Sequence, residues 1–204
     1  MVNAEFLLTA LVVVLMPGTG VIYTVSNGLF LGKKASIAAA IGCTAGIIPH
    51  LTASILGLSA ILHVSALAFQ LLKYAGAAYL MYLAWATWND KGCLNFNKPA
   101  ENQRLRQIAK RGFLINILNP KLSIFFLAFL PQFVPENAVS LTANLIILSL
   151  IFMGMTLIVF VLYGLCANSV RQHVTRSPNI TRWMQRSFAV IFASLGLKLA
   201  TAEQ

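Results

Sequence analysis

The stretch from Gly112 to Gln132, GFLINILNPKLSIFFLAFLPQ, limits the folds open to this chain more than any other, because it places a helix breaker and a cation inside an apolar run. About 20 apolar residues span a bilayer, and a lipid-facing segment must satisfy its own backbone. Pro120 removes one backbone donor and clashes with the preceding turn, so a helix kinks or stops there. Lys121 follows directly, at a depth of roughly 15 Å from the Arg111 end at about 1.5 Å per residue. An ammonium near the midplane costs at least about 2.5 kcal/mol, which directs it toward other helices or a wet cavity. The alternative is a side chain snorkelling to the interface, but four carbons reach only a short way from the midplane.

A hydrophobic content of 58%, a charged content of 10% and a mean hydropathy of +0.78 exclude an ordinary soluble domain and predict an all-α, multi-pass membrane protein. The net charge of +10 does not indicate a nucleic-acid partner, because the fifteen Lys and Arg fall mainly between the apolar runs. Cys43, Cys93 and Cys166 form no CxxC pair, and neither a disulfide framework nor a metal or cofactor site is expected. The first apolar run has no basic residue ahead of it and is expected to be a retained span. No Ser-His-carboxylate set, HExxH or acidic pair points to an enzyme.

Six spans are expected, over about 5–27, 35–62, 67–88, 112–132, 141–168 and 188–202. The links after the first, third and fifth hold two, six and four Lys or Arg, while the other ends have none. By the positive-inside rule both termini then lie outside, with the linker of about 89–111 cytoplasmic. Lys73 and Lys198 stand near span ends, where snorkelling accounts for them. Small residues in the second span, Gly42 and Gly46 among them, suit close helix packing.

Two spans are broken, the first at Pro17-Gly18 and the fourth at Asn119-Pro120, and the prolines lie 103 positions apart. Shifting the second span by that amount lands it on the fifth, which is weak internal symmetry. Three spans make an odd number, so the repeats, about 1–90 and 111–204 of a single domain 1–204, must be inverted in the membrane. In such folds interrupted helices meet near the midplane, and their ends supply partial charges for a zwitterion.

The strings LVVVLMPGTGVIYTVSNGLFLGKKASIAAAIGCTAG, LKYAGAAYLMYLAWATW and, above all, GFLINILNPKLSIFFLAFLPQFV resemble the LysE/RhtB amino-acid exporters of bacterial inner membranes. The resemblance covers nearly the whole chain. It implies export of amino acids or close derivatives driven by the proton gradient, with site positions at Pro17, Gly18, Gly42, Gly46, Asn116, Asn119, Pro120 and Lys121. The chain departs from the pattern twice. PGPN or PGPD of many members is Pro17-Gly18-Thr19-Gly20 here, and an acidic residue after the second glycine is replaced by Ile47, with His50 three positions on. His50 and Lys121 are therefore the candidates for a titrating group within the spans. A neutral substrate with a hydroxylated, aliphatic or sulfur-containing side chain is expected, since no carboxylate is present to pair with a cationic one. A basic amino-acid exporter and a heavy-metal cation exporter of the same superfamily are the alternatives. The expected partners are the amino-acid substrate, protons, membrane lipids and, as an assembly, a homodimer.

Overall fold

A computed structural model describes residues 3–64, 66–89, 103–135, 140–174 and 178–201, and among them all regular structure is helical. Glu101, Glu136 and most of the linker lie outside the described residues. Helix α1 (Ala4–Leu15) starts where the Asn3 side chain accepts the Phe6 N–H at 2.8 Å. It stops because Pro17 forces Met16 into extended backbone, at φ −61° and ψ 127°. Helix α2 (Thr19–Leu31) resumes after Gly18, bent by 55° from α1. The chain then turns at Gly32, whose φ of +87° requires glycine, into α3 (Lys33–Ala45).

The expected second span carries a local turn at Gly46 and Ile47, between α3 and α4 (Ile48–Val64), and Lys33–Gly57 still runs on as one span. Pro49, which brings no N–H to bond the Ala45 carbonyl, explains the turn. Helix α5 (Ala66–Asn89) packs against the last helix, α9 (Pro178–Thr201). The fourth segment is α6 (Leu105–Ile117), a break, α7 (Pro120–Ile124), a π-helical turn Phe125–Phe129 and a 3-10 turn Leu130–Phe133, the two halves bent by 53°. It begins earlier than the hydropathy suggests, because the polar first turns of α6 extend the helix beyond its apolar part. Helix α8 (Leu141–Val174) is the longest element described.

Close crossings rest on glycine. A methyl group at Gly42 would fall on the Ala109 carbonyl, and one at Gly112 would lie 2.9 Å from the Ala39 carbonyl, so α3 and α6 touch backbone to backbone. Gly28 of α2 faces the Gly164 carbonyl of α8 in the same way, at 2.5 Å from where a Cβ would stand. Aromatic rings fill the centre, with Phe125 stacked on Phe152 at 4.7 Å and Phe126 edge-on to Phe152 at 5.5 Å. Outside, Leu8, Leu56 and Trp85 are each about two-thirds exposed, at 65%, 67% and 65%. So large an apolar exterior is tolerable in lipid and costly in water. Among the described residues, Lys33–Gly57 and Leu141–Ala167 can each cross a membrane by length and composition, and up to four spans result if each bent pair is one. The chain is an α-helical, multi-pass membrane protein.

Candidate functional site

The two breaks meet. Lys121, one residue past Pro120, extends its ammonium to the end of α1 and donates to the carbonyls of Val13 at 3.0 Å and Met16 at 3.3 Å. These are among the last carbonyls of a helix, which lack intrahelical partners and carry the negative end of its dipole. Tyr163 of α8 donates to a third, that of Leu15, at 3.0 Å. Hydrogen bonds from a charged donor are worth about 1.5–3 kcal/mol each, so this pair offsets a midplane charge costing about 2.5–3.5 kcal/mol. Snorkelling is not what the side chain does: it reaches across to the first segment. An ammonium has three N–H groups, and the two carbonyls take two of them.

On the other side of the break, no side chain caps the N-terminus of α2. Gly18, Gly20 and Val21 of this terminus, together with Lys121, Asn116 and Thr156, line a cavity of about 280 Å3 including its mouth. Gly18 keeps the Lys121 ammonium close to the helix end, since a methyl group there would lie 3.3 Å from Nζ. A cation beside an uncapped helix N-terminus favours negative charge between them.

Asparagines hold the fourth segment's break in shape. Asn119 is in extended backbone ahead of the proline, and its Oδ1 accepts the Lys121 N–H at 3.1 Å as an N-cap. Its Nδ2 donates to Asn116 Oδ1 at 3.3 Å, and Asn116 Nδ2 donates to the Cys43 carbonyl at 2.7 Å. The Asn116 carbonyl lies 2.9 Å from His50 Nε2, and because a carbonyl only accepts, Nε2 carries the hydrogen. In the neutral ring, Nδ1 then takes the Ser123 hydroxyl at 3.3 Å. The same hydroxyl stands 3.5 Å from the Asn119 carbonyl.

Of the residues expected at the site, Gly18, Asn116, Asn119 and Lys121 line the cavity, and Pro17 and Pro120 make the two breaks around it. Gly42 and Gly46 do not line it; Gly46 is packed against Asn116 Cβ and the Phe113 carbonyl, each 2.8 Å from where its Cβ would stand. His50 is buried behind Asn116, and Ile47 is wholly buried in the core. The PGTG departure has a spatial counterpart: a Cβ on Gly20 would lie 2.7 Å from Asn116 Oδ1, so an amide from the fourth segment stands where a side chain at position 20 would begin. Three cavity residues on α8, Phe152, Thr156 and Phe160, were not expected. Thr156 alone could have been noticed, as the only hydroxyl between Ser149 and Tyr163. A second, apolar cavity of about 290 Å3 lies on the far side of Lys121, between Val13, Leu80, Phe125 and Leu195. Among the described residues no three His, Cys, Asp or Glu side chains come together as metal ligands would.

The family model of the LysE type translocators matches residues 11–203. A membrane protein of Vibrio cholerae, uncharacterised, is 34% identical over 97% of this chain and 96% of its own length. The homoserine/homoserine lactone efflux protein of Salmonella typhimurium is 29% identical over 97% and 95%. An uncharacterised membrane protein of Bacillus subtilis is 27% identical over 93% of each chain. No solved structure matches the chain.

Proposed function

We propose that this chain, which belongs to the LysE type translocator family, is a secondary transporter exporting small neutral amino acids or close derivatives across the bacterial inner membrane. The observation that carries the reading is the Lys121 ammonium beside the uncapped N-terminus of α2, in one cavity between two broken helices. A substrate carboxylate would take the third N–H of Lys121 and the first amides of α2. The substrate ammonium would be accepted by Asn116 Oδ1, which has a lone pair beyond the one Asn119 uses. The similarity to a homoserine/homoserine lactone efflux protein supports testing hydroxylated neutral amino acids first.

Energy would come from the proton gradient. His50 is the residue we assign to coupling: its ring is bonded to the Asn116 carbonyl, in the fourth segment at its break. The architecture we propose is six spans in two inverted three-span repeats, forming one domain. Helix packing supports it, because α2 lies on α8 and α3 on α6, and α5 lies on α9. In span terms these are one on five, two on four and three on six, a set that exchanging the repeats leaves unchanged. The positive links would face the cytoplasm and both termini the periplasm.

The test is efflux from overexpressing cells loaded with dipeptides. Release of homoserine, threonine or leucine above the empty-vector rate is expected. Release of arginine with none of these, or cadmium resistance with no amino-acid efflux, would overturn the reading.

A further inference from the structure

We propose that Thr156 selects the substrate's side chain by accepting a hydrogen bond from a hydroxyl carried on it. The inference rests on the exporter reading and adds to it a side-chain subsite on α8. Thr156 is 3% exposed and lines the same cavity as Lys121, Gly18 and Asn116. Its hydroxyl donates to the Phe152 carbonyl one turn back, at 2.8 Å. A hydroxyl has one hydrogen and two lone pairs, so with the hydrogen committed it offers the cavity acceptance only. A ligand group that donates is satisfied there, whereas a methyl group leaves the lone pairs dry.

Few other acceptors remain for such a group, since Asn116 Oδ1 is taken by Asn119 and, in the proposed binding mode, by the substrate ammonium. Asn119 spends its Oδ1 on the Lys121 amide and its Nδ2 on Asn116, and Asn116 spends its own Nδ2 on the Cys43 carbonyl. The apolar lining of the same cavity is Val13, Val14, Val21, Leu122, Phe152 and Phe160. Phe152 is stacked on Phe125 at 4.7 Å and cannot swing aside to admit a larger group. One acceptor in an apolar wall, opposite a carboxylate site, fits an α-amino acid with a short side chain bearing one uncharged donor. Sites built to bond a substrate hydroxyl discriminate against the analogue lacking it, because the protein group is then left unpaired.

The experiment compares efflux of two isosteric pairs from loaded cells, threonine against valine and homoserine against norvaline. The unmutated protein should favour the hydroxylated member by roughly five- to tenfold, the worth of one uncharged hydrogen bond. Thr156→Val should abolish or invert that preference while still exporting valine, and Thr156→Ser should keep it. Membrane amounts are measured for each variant, and Thr156→Ala is read in the same way if the valine variant inserts poorly. A preference unchanged in Thr156→Val or Thr156→Ala, or lost in Thr156→Ser, overturns the inference while leaving the exporter reading in place. Export of none of the four by the unmutated protein overturns the inference, and absence of leucine export as well overturns both.

Discussion

The Lys121 ammonium lies 3.0 Å from the Val13 carbonyl oxygen, 108 positions earlier in the chain. A residue at the break of the fourth segment thus terminates the helix ahead of the break in the first. Neither break is complete without the other: α1 obtains its capping donor from Lys121, and Lys121 obtains the acceptors that make its burial tolerable. The cavity exists because this junction holds two helix ends apart.

Glycine at the α3–α6 crossing is predicted to be a structural requirement and not a substrate contact. Gly42→Ala would drive a methyl group into the Ala109 backbone, which cannot yield as a side chain would. Folded protein in detergent, read by size exclusion, should fall severalfold. Gly154→Ala, with nothing within 4 Å of the new methyl, should leave the amount and transport unchanged. Equal recovery of the two variants would contradict the packing described.

Much of the site was legible in the sequence because helix breakers act locally. Pro17-Gly18 and Asn119-Pro120 announce interrupted helices whatever they pack against, and a midplane Lys121 demands a partner. Pro49 carried the same kind of signal, yet the small-residue pattern around it reads as one continuous span. Long-range pairing was not legible. Nothing local indicates that Asn116 would reach the Cys43 carbonyl, or that Ser54 would donate to the Phe126 carbonyl at 2.7 Å within the π-helical turn. Thr156 faces the cavity only through the rotation of α8, which the all-round hydrophobicity of that helix leaves unspecified.

Asn116→Asp should be far more damaging than its size suggests. A carboxylate cannot donate to the Cys43 carbonyl, and it introduces a buried negative charge near the Lys121 ammonium. Export should drop by roughly five- to 150-fold, given about 1–3 kcal/mol for a donor lost from a buried pair. The check is initial efflux rate at matched membrane amount, and a rate within twofold of the unmutated protein would remove Asn116 from the site.

His50→Gln retains a donor for the Asn116 carbonyl but removes the imidazole to which coupling is assigned. In reconstituted vesicles, downhill export should survive while accumulation driven by an imposed pH gradient is lost. Gradient-driven accumulation by the glutamine variant would exclude His50 from coupling.

Orientation is tested by single-cysteine labelling with a membrane-impermeant reagent in a background lacking the three native cysteines. Glu136→Cys should label from outside intact cells, and Glu101→Cys only after lysis. The reverse pattern would invert the topology.

Lys121→Met addresses the central claim most directly. Loss of the charge eases insertion by about 2–3 kcal/mol, and loss of partners for two carbonyls costs about 1–3 kcal/mol each, so the amount in the membrane should change by only a few-fold. The carbonyls of Val13 and Met16, left without their donor, offset the gain from removing the charge. Lys121→Arg should also be poor, because a planar fork does not fit acceptors arranged for a compact ammonium. The decisive measurement is efflux of labelled homoserine from proteoliposomes containing equal amounts of unmutated and Lys121→Met protein. The account predicts release from the first and none above protein-free vesicles from the second; equal release from both would contradict it.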